Sequence, residues 1–174
     1  MRYFKAPVLF AIAVGLSASV SAVAQLASFS DPNVNYAFDL PDPRWKVTVK
    51  PSTTNQNVEY VFGDRLDGHL EVRKITVAKD AAMPDILRVE EQKLQFLPGY
   101  VAGRDEVFRG RLNGTVFNYE FVRAGRPMSG RFYLLRADEG TIYLLRFTGF
   151  SDKLRSIRNQ TDAIGRSFQV KRSS

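Results

Sequence analysis

The chain has 174 residues, a formal net charge of +7, no cysteine and a single histidine. Without cysteine there can be no disulfide, thiolate metal site, cysteine nucleophile or cysteine-linked lipid anchor, and one histidine is too few for a zinc or copper centre. No metal and no cofactor is expected.

In chain order, the first element is a leader. Arg2 and Lys5 precede an apolar run from Val8 to Leu16, and small residues lead to Ala22-Val23-Ala24. That order of charge, apolar core and A-x-A site marks a secretory signal peptide over residues 1–24. Its second half (Ser17 to Ala22) is too weakly apolar for a membrane span, which needs about 20 apolar residues. Cleavage leaves 150 residues, 25–174, enough for one domain that buries a core without staples. The expectation is an exported protein, periplasmic or extracellular, with no membrane span after cleavage. Residues 25–99 carry nine basic and eleven acidic side chains; residues 100–174 carry fourteen and seven, twelve of the fourteen being arginine. The positive excess therefore belongs to the second half of the domain.

Tyr36 to Leu40 alternates apolar and polar residues and stops at Pro41-Asp42-Pro43. Arg44 to Val49 alternates again, with Trp45, Val47 and Val49 on one face, so two short strands around a proline-bearing turn are expected. Pro51 to Asn57 reads as an exposed loop. Val58–Phe62 and Leu70–Ala78 are β-rich, with Asp67-Gly68 as the turn between them. Pro84–Leu97 reads as a helix, with Ile86, Leu87, Leu94 and Leu97 at helical spacing and Pro98-Gly99 as terminator. Four strands in an antiparallel meander follow. Glu106–Leu112 and Thr115–Arg123 flank Asn113-Gly114; Gly125–Gly130 forms the next turn; Arg131–Ala137 and Thr141–Gly149 flank Asp138-Glu139-Gly140. A second helix spans Asp152 to about Gly165, with Ser151 as N-cap and Leu154, Ile157, Thr161 and Ile164 as its apolar stripe. Ser167–Lys171 closes the chain as a short strand. The fold class is α+β: an α/β/α sandwich with a central antiparallel meander sheet flanked by helices.

Catalytic chemistry finds little purchase. His69 is expected at an exposed hairpin tip. The acidic pairs Glu90-Glu91, Asp105-Glu106 and Asp138-Glu139 read as solvated surface rather than as two carboxylates flanking one bond. Arginine, whose planar fork suits carboxylate and phosphate, is the best lead. Arg109 and Arg111, at two-residue spacing, should share one strand face. Arg123, Arg126 and Arg131 should surround one loop with Pro127 and an exposed Met128 at its tip. Arg131 and Arg136 should face opposite sides of the sheet. The competing account is that these arginines only guard strand edges against pairing.

The order of features also resembles a known family. Tyr36-Ala37-Phe38-Asp39-Leu40-Pro41, then Arg44-Trp45, Tyr60-Val61-Phe62, Leu94 to Tyr100, the aromatic meander and the closing Arg166-Ser167-Phe168 are similar to the PsbP-like superfamily. That superfamily is named for an extrinsic accessory protein of photosystem II and includes small exported bacterial proteins. The resemblance implies an α/β/α sandwich and a non-catalytic accessory or binding role over residues 25–174. It transfers no site residue.

The leading expectation is an exported, non-enzymatic accessory protein that docks on an envelope protein with an acidic surface, using Arg109, Arg111, Arg123, Arg126 and Arg131. Nucleic acid is not an expected partner, and the oligomeric state is left open. The alternative is a small carrier holding an apolar or anionic ligand between sheet and helix, favoured by a deep cleft lined by Phe117, Tyr119 and Phe121. A carboxylate-dependent hydrolase stands third.

Overall fold

A computed structural model describes residues 27–171; the expected leader, residues 1–24, lies outside the described residues. Two antiparallel sheets form. The small one has the order β1-β2-β10, from β1 (Ala27–Ser30), β2 (Tyr36–Leu40) and β10 (Gln169–Val170). The large one has the order β3-β4-β5-β9-β8-β7-β6. Its strands are β3 (Trp45–Val49), β4 (Val58–Phe62), β5 (Asp64–Thr76), β6 (Val101–Arg109), β7 (Asn113–Arg123), β8 (Arg126–Arg136) and β9 (Thr141–Phe150). Helix α1 (Met83–Gln92) covers part of one face; α2 (Ser151–Ser156), α3 (Arg158–Ser167) and the small sheet cover the other. The α+β sandwich read from the sequence is present, and β6 to β9 form the expected meander.

The period-two pattern sorts side chains between the two faces. On β8, Tyr133 and Leu135 face the small sheet while Phe132 and Leu134 face α1; on β9, Tyr143, Leu145 and Phe147 oppose Ile142 and Leu144. The small sheet contributes an aromatic stack. Phe168 lies 5.3 Å from Tyr36 and 5.1 Å from Tyr143, centroid to centroid, and Phe29 stacks on Phe38 at 4.9 Å. Such pairs add to their area burial, and burial pushes the pKa of Tyr36 and Tyr143 upward and that of Tyr60 to about 12.

Several turns sit elsewhere than the glycine signals suggest. Strands β2 and β3 do not pair, because Pro41-Asp42-Pro43 is a corner that carries the chain from the small sheet to the large one. Arg44 fixes the corner: its guanidinium and backbone N–H both donate to the Asp42 carboxylate, at 2.7 and 2.8 Å, and hold its pKa at about 2. Val47 is exposed on edge strand β3, so only Trp45 of its expected face enters the core. The turn from β4 to β5 is at Gly63 (φ +67°), not at Asp67-Gly68. Gly68 instead lets Ile157 in, since a Cβ there would stand 2.9 Å from its Cδ1.

Asn113-Gly114 belongs to β7, and the turn is residues 110–112. A Cβ on Gly114 would lie 1.8 Å from the Leu134 carbonyl oxygen, so that glycine serves a close backbone approach. The β7–β8 turn is the two residues Ala124 (φ 50°) and Gly125 (φ +73°), both left-handed as a type I′ hairpin needs. Pro127 and Met128 therefore lie in β8, and Met128 is buried rather than exposed.

Helix α1 stops at Gln92, where the chain tightens into i→i−3 bonds (Leu94 N–H to Glu91, Leu97 N–H to Leu94), short of the expected Leu97. The second expected helix is split at Ile157 (φ −104°, ψ 15°), yet Leu154, Ile157, Thr161 and Ile164 all point into the core. Ser151 is the first helical residue rather than the cap; its hydroxyl accepts from Ser129 at 2.9 Å.

Candidate functional site

The structure divides the candidate arginines into three settings. Arg123 and Arg126 are direct cross-strand partners at the β7–β8 tip, both exposed, beside exposed Val122. Neither has a carboxylate partner among the described residues. The Arg126 guanidinium lies 3.6 Å from the centre of the Phe150 ring, a cation–π contact that fixes its direction. Arg109 and Arg111 sit at the other end of the same ribbon, about 30 Å away at roughly 3.3 Å per residue. They do not share a strand face: Arg109 ends β6, while Arg111 lies in the turn, with its guanidinium on Gln169 and its N–H on the Arg166 carbonyl.

Arg131 is the third setting and a correction. It is five residues into β8, buried, and surrounded by partners. Its Nε donates to Tyr133 Oη at 2.7 Å, Nη1 to Asn118 Oδ1 at 3.0 Å and Nη2 to Asp162 Oδ1 at 2.7 Å; Tyr133 Oη itself donates to Asp162 Oδ1 at 2.6 Å. Burial raises the Tyr133 pKa, so the phenol stays neutral and keeps donating. Arg136 points to the other face, donating to the Ala81 carbonyl at 2.7 Å, as the odd spacing requires.

His69 is not at an exposed tip. It sits in β5 with its side chain 13% exposed, Nε2 2.8 Å from Glu59 Oε2. Burial pushes the Glu59 carboxyl up, but the His69 hydrogen bond and the charges of His69 and Arg65 bring it below its ordinary value. Glu59 and His69 open a band of charge across β4, β5 and β9. Arg146 donates to Glu71 at 2.5 Å, Arg73 reaches both Glu71 and Glu90, and Lys93 holds Glu90 at 2.5 Å. Glu90 is thus buried and paired, whereas the sequence placed it on a solvated face. Its neighbour Glu91 accepts from Tyr100 Oη. None of the three acidic pairs sets two carboxylates across a cleft: Asp105-Glu106 is exposed on β6, and Asp138 caps the Gly140 N–H in the β8–β9 turn.

Among the concavities beside the meander, two lie on its opposite faces. A groove of about 540 Å³ on the α1 face runs between Leu94, Leu97 and Pro98 and the charged band, with Tyr119 and Phe121 in its floor. Burial raises the Tyr119 pKa to about 12. Phe117 is packed under α1 and does not line it, so the expected three-aromatic cleft is mostly core. On the opposite face, a cleft of about 440 Å³ lies between β6–β8 and the helices, lined by Asn118, Arg131, Leu154, Arg155 and Arg158 among others. Arg155 and Arg158 lie off the apolar stripe of the second expected helix. Their spacing of three placed them together, but nothing in the sequence placed them opposite Arg131.

Among the described residues, no helix is long and apolar enough to cross a membrane, and no three His, Asp or Glu side chains are grouped to hold a metal. No protein-family model and no curated protein matches the chain. Solved structures do. Saccharomyces cerevisiae Mog1p, a Ran-binding protein, superposes with a TM-score of 0.61 at 10% identity, over 83% of this chain and 95% of that one. Cyanobacterial PsbP (CyanoP) from Synechocystis sp. PCC 6803 gives 0.55 at 16% identity, over 90% and 98%. LpqN of Mycobacterium tuberculosis, involved in cell envelope biogenesis, gives 0.55 at 13%, over 85% and 92%. At these identities the likeness is one of architecture: the chain has a PsbP-like fold.

Proposed function

We propose that this chain is an exported, non-enzymatic accessory protein related to the PsbP-like superfamily, which docks on an envelope protein through an acidic surface of that partner. The observation that carries this reading is the β7–β8 tip. Arg123 and Arg126 stand side by side on a two-residue turn, without carboxylate partners among the described residues, and Arg126 is held by Phe150. Unpaired guanidinium groups favour carboxylates on a partner, and Arg126, already oriented, loses little freedom on binding. Arg109 and Arg111 form a second, separate basic point on the same ribbon. Arg131 supports the strands from within. That Mog1p is a Ran-binding protein supports a binding role for this architecture, and the involvement of LpqN in cell envelope biogenesis supports an envelope setting.

Crosslinking the mature protein in the cell and identifying what it traps is the direct test. Retention of that partner should fall several-fold between about 0.05 and 0.5 M salt, because exposed charge contacts are screened. The double variant R123Q/R126Q should show the same loss at low salt. Retention that is indifferent to both salt and the double substitution rejects the docking surface.

A further inference from the structure

The cleft between β6–β8 and the helices holds unspent hydrogen-bonding capacity. A guanidinium carries five N–H donors. Arg131, its side chain 8% exposed, gives one from Nε to Tyr133, one from Nη1 to Asn118 and one from Nη2 to Asp162. One N–H on each terminal nitrogen has no acceptor among the described residues. The same three bonds fix the plane of the group, so it is set before anything binds. Arg155 and Arg158 stand on the opposite wall, exposed and without a carboxylate partner among the described residues. Asp162 neutralises Arg131, so the positive balance of the cleft comes from these two, against Glu120, its one acidic lining residue. The Ser129 and Ser151 hydroxyls close one end, and Val101, Ala102 and Leu154 supply apolar wall.

We propose that this cleft binds a small soluble molecule that ends in a phosphate or carboxylate carried on a short apolar stem. The oxyanion takes the two free N–H groups of Arg131, the geometry in which a guanidinium recognises two oxygens at once. Arg155 and Arg158 close over it from the helix wall, and the stem lies on Leu154, Val101 and Ala102. A cleft of about 440 Å³ is within the range of small-ligand sites. The site adjoins the hairpin tip, since Ser151 and Arg155 also line a concavity with Arg126 and Phe150, but it needs no partner protein.

The test uses the purified isotope-labelled protein, titrated with inorganic phosphate, hexyl phosphate and hexanoate while Arg131 Nε–H and the amides of Asn118, Ser129 and Gly130 are followed by NMR. Saturable shifts confined to these residues are expected, with hexyl phosphate at least about tenfold tighter than inorganic phosphate. The variant R155Q/R158Q alters only exposed side chains, so it should fold, and it should weaken hexyl phosphate by about tenfold. The charge-matched K46Q/K50Q, at exposed residues on and just after edge strand β3, should leave binding within about twofold. The protein should not sediment with phosphatidic acid vesicles, because Arg131 lies beneath the rim. Four results overturn the proposal: no saturable shift, equal weakening by both double variants, no preference for the stem, or vesicle binding lost in R155Q/R158Q, which would make the ligand a lipid headgroup.

Discussion

The two faces of the seven-stranded sheet are built from the same strands and put to different uses. The face under the small sheet, α2 and α3 is apolar over most of β4, β5 and β9 and turns polar around Asn118, Glu120 and Arg131 on β7 and β8, yet its cluster holds more than twice as many buried residues as the α1 face. The α1 face is apolar mainly over β7, β8 and β9, with Leu66 and Ile75 joining it near the two ends of β5; between them β4, β5 and β9 carry Glu59, His69, Glu71, Arg73 and Arg146. One face therefore concentrates the stability, and the other gives the middle of β4 and β5 to charge and to an open groove. The difference teaches that a strand's alternation says which residues share a face, while the cover that arrives later in the chain decides how dry that face becomes.

The broadest way to break this contrast is alkaline pH. Tyr36, Tyr60, Tyr133 and Tyr143 lie on the dry face, as against Tyr100 and Tyr119 on the α1 face. Burial raises each of them above 10, so twice as many raised phenols load the dry face. Their neutral forms stabilise the fold fully below pH 10, and that stability is lost as the pH rises towards and beyond about 12. Cooperative unfolding that tracks tyrosinate absorbance in this window is expected; a protein still folded well above it would contradict the dry face. Next in size is Phe168→Ala, which empties the centre of the aromatic stack and should cost about 3–5 kcal/mol in chemical denaturation. Asp162→Ala leaves the Arg131 guanidinium buried without its counter-charge and should cost about 3 kcal/mol. Ile86→Ala on α1 should cost only about 2 kcal/mol, because the half-covered neighbours Met83 and Leu87 can close in. If Ile86→Ala proves as damaging as Phe168→Ala, the two faces are equivalent after all.

Smallest is Glu59→Gln, at no more than about 1 kcal/mol at neutral pH. The sign of its pH dependence is fixed: the folded carboxyl titrates below its unfolded value of 4.5, so its contribution is present above that pH and drains away as the pH falls. The variant should therefore lose less stability than the parent on going from neutral to acid.

Strand content was legible because alternation is local. Phe117, Tyr119 and Phe121 read as an inward row, and all three are buried. Turn positions were less so, because glycine has two uses. At Gly68 and Gly114 it admits a neighbouring side chain or carbonyl, and that neighbour lies far away in sequence. The helix stripe from Leu154 to Ile164 was readable, but its break at Ile157, the residue packed against Gly68, was not. At the candidate site, the exposure of Arg123 and Arg126 followed from their turn. The burial of Arg131 could not, because its partners Asn118 and Asp162 come from β7 and α3. The cleft opposite it arises only from how the helices fold back over the meander.

The small sheet sets a condition on when this protein can fold. Its central strand β2 is flanked by β1 on one side and β10 on the other, pairing Ala37 with both Ser30 and Gln169. The stack around Tyr36 is completed by Phe168. A chain emerging from synthesis can form the meander early, but β2 keeps an open edge and an uncovered aromatic face until residues 168–170 arrive. Contacts this distant in sequence close late and slowly. Until then the small sheet lacks one of its three strands, and that last short strand acts as the latch.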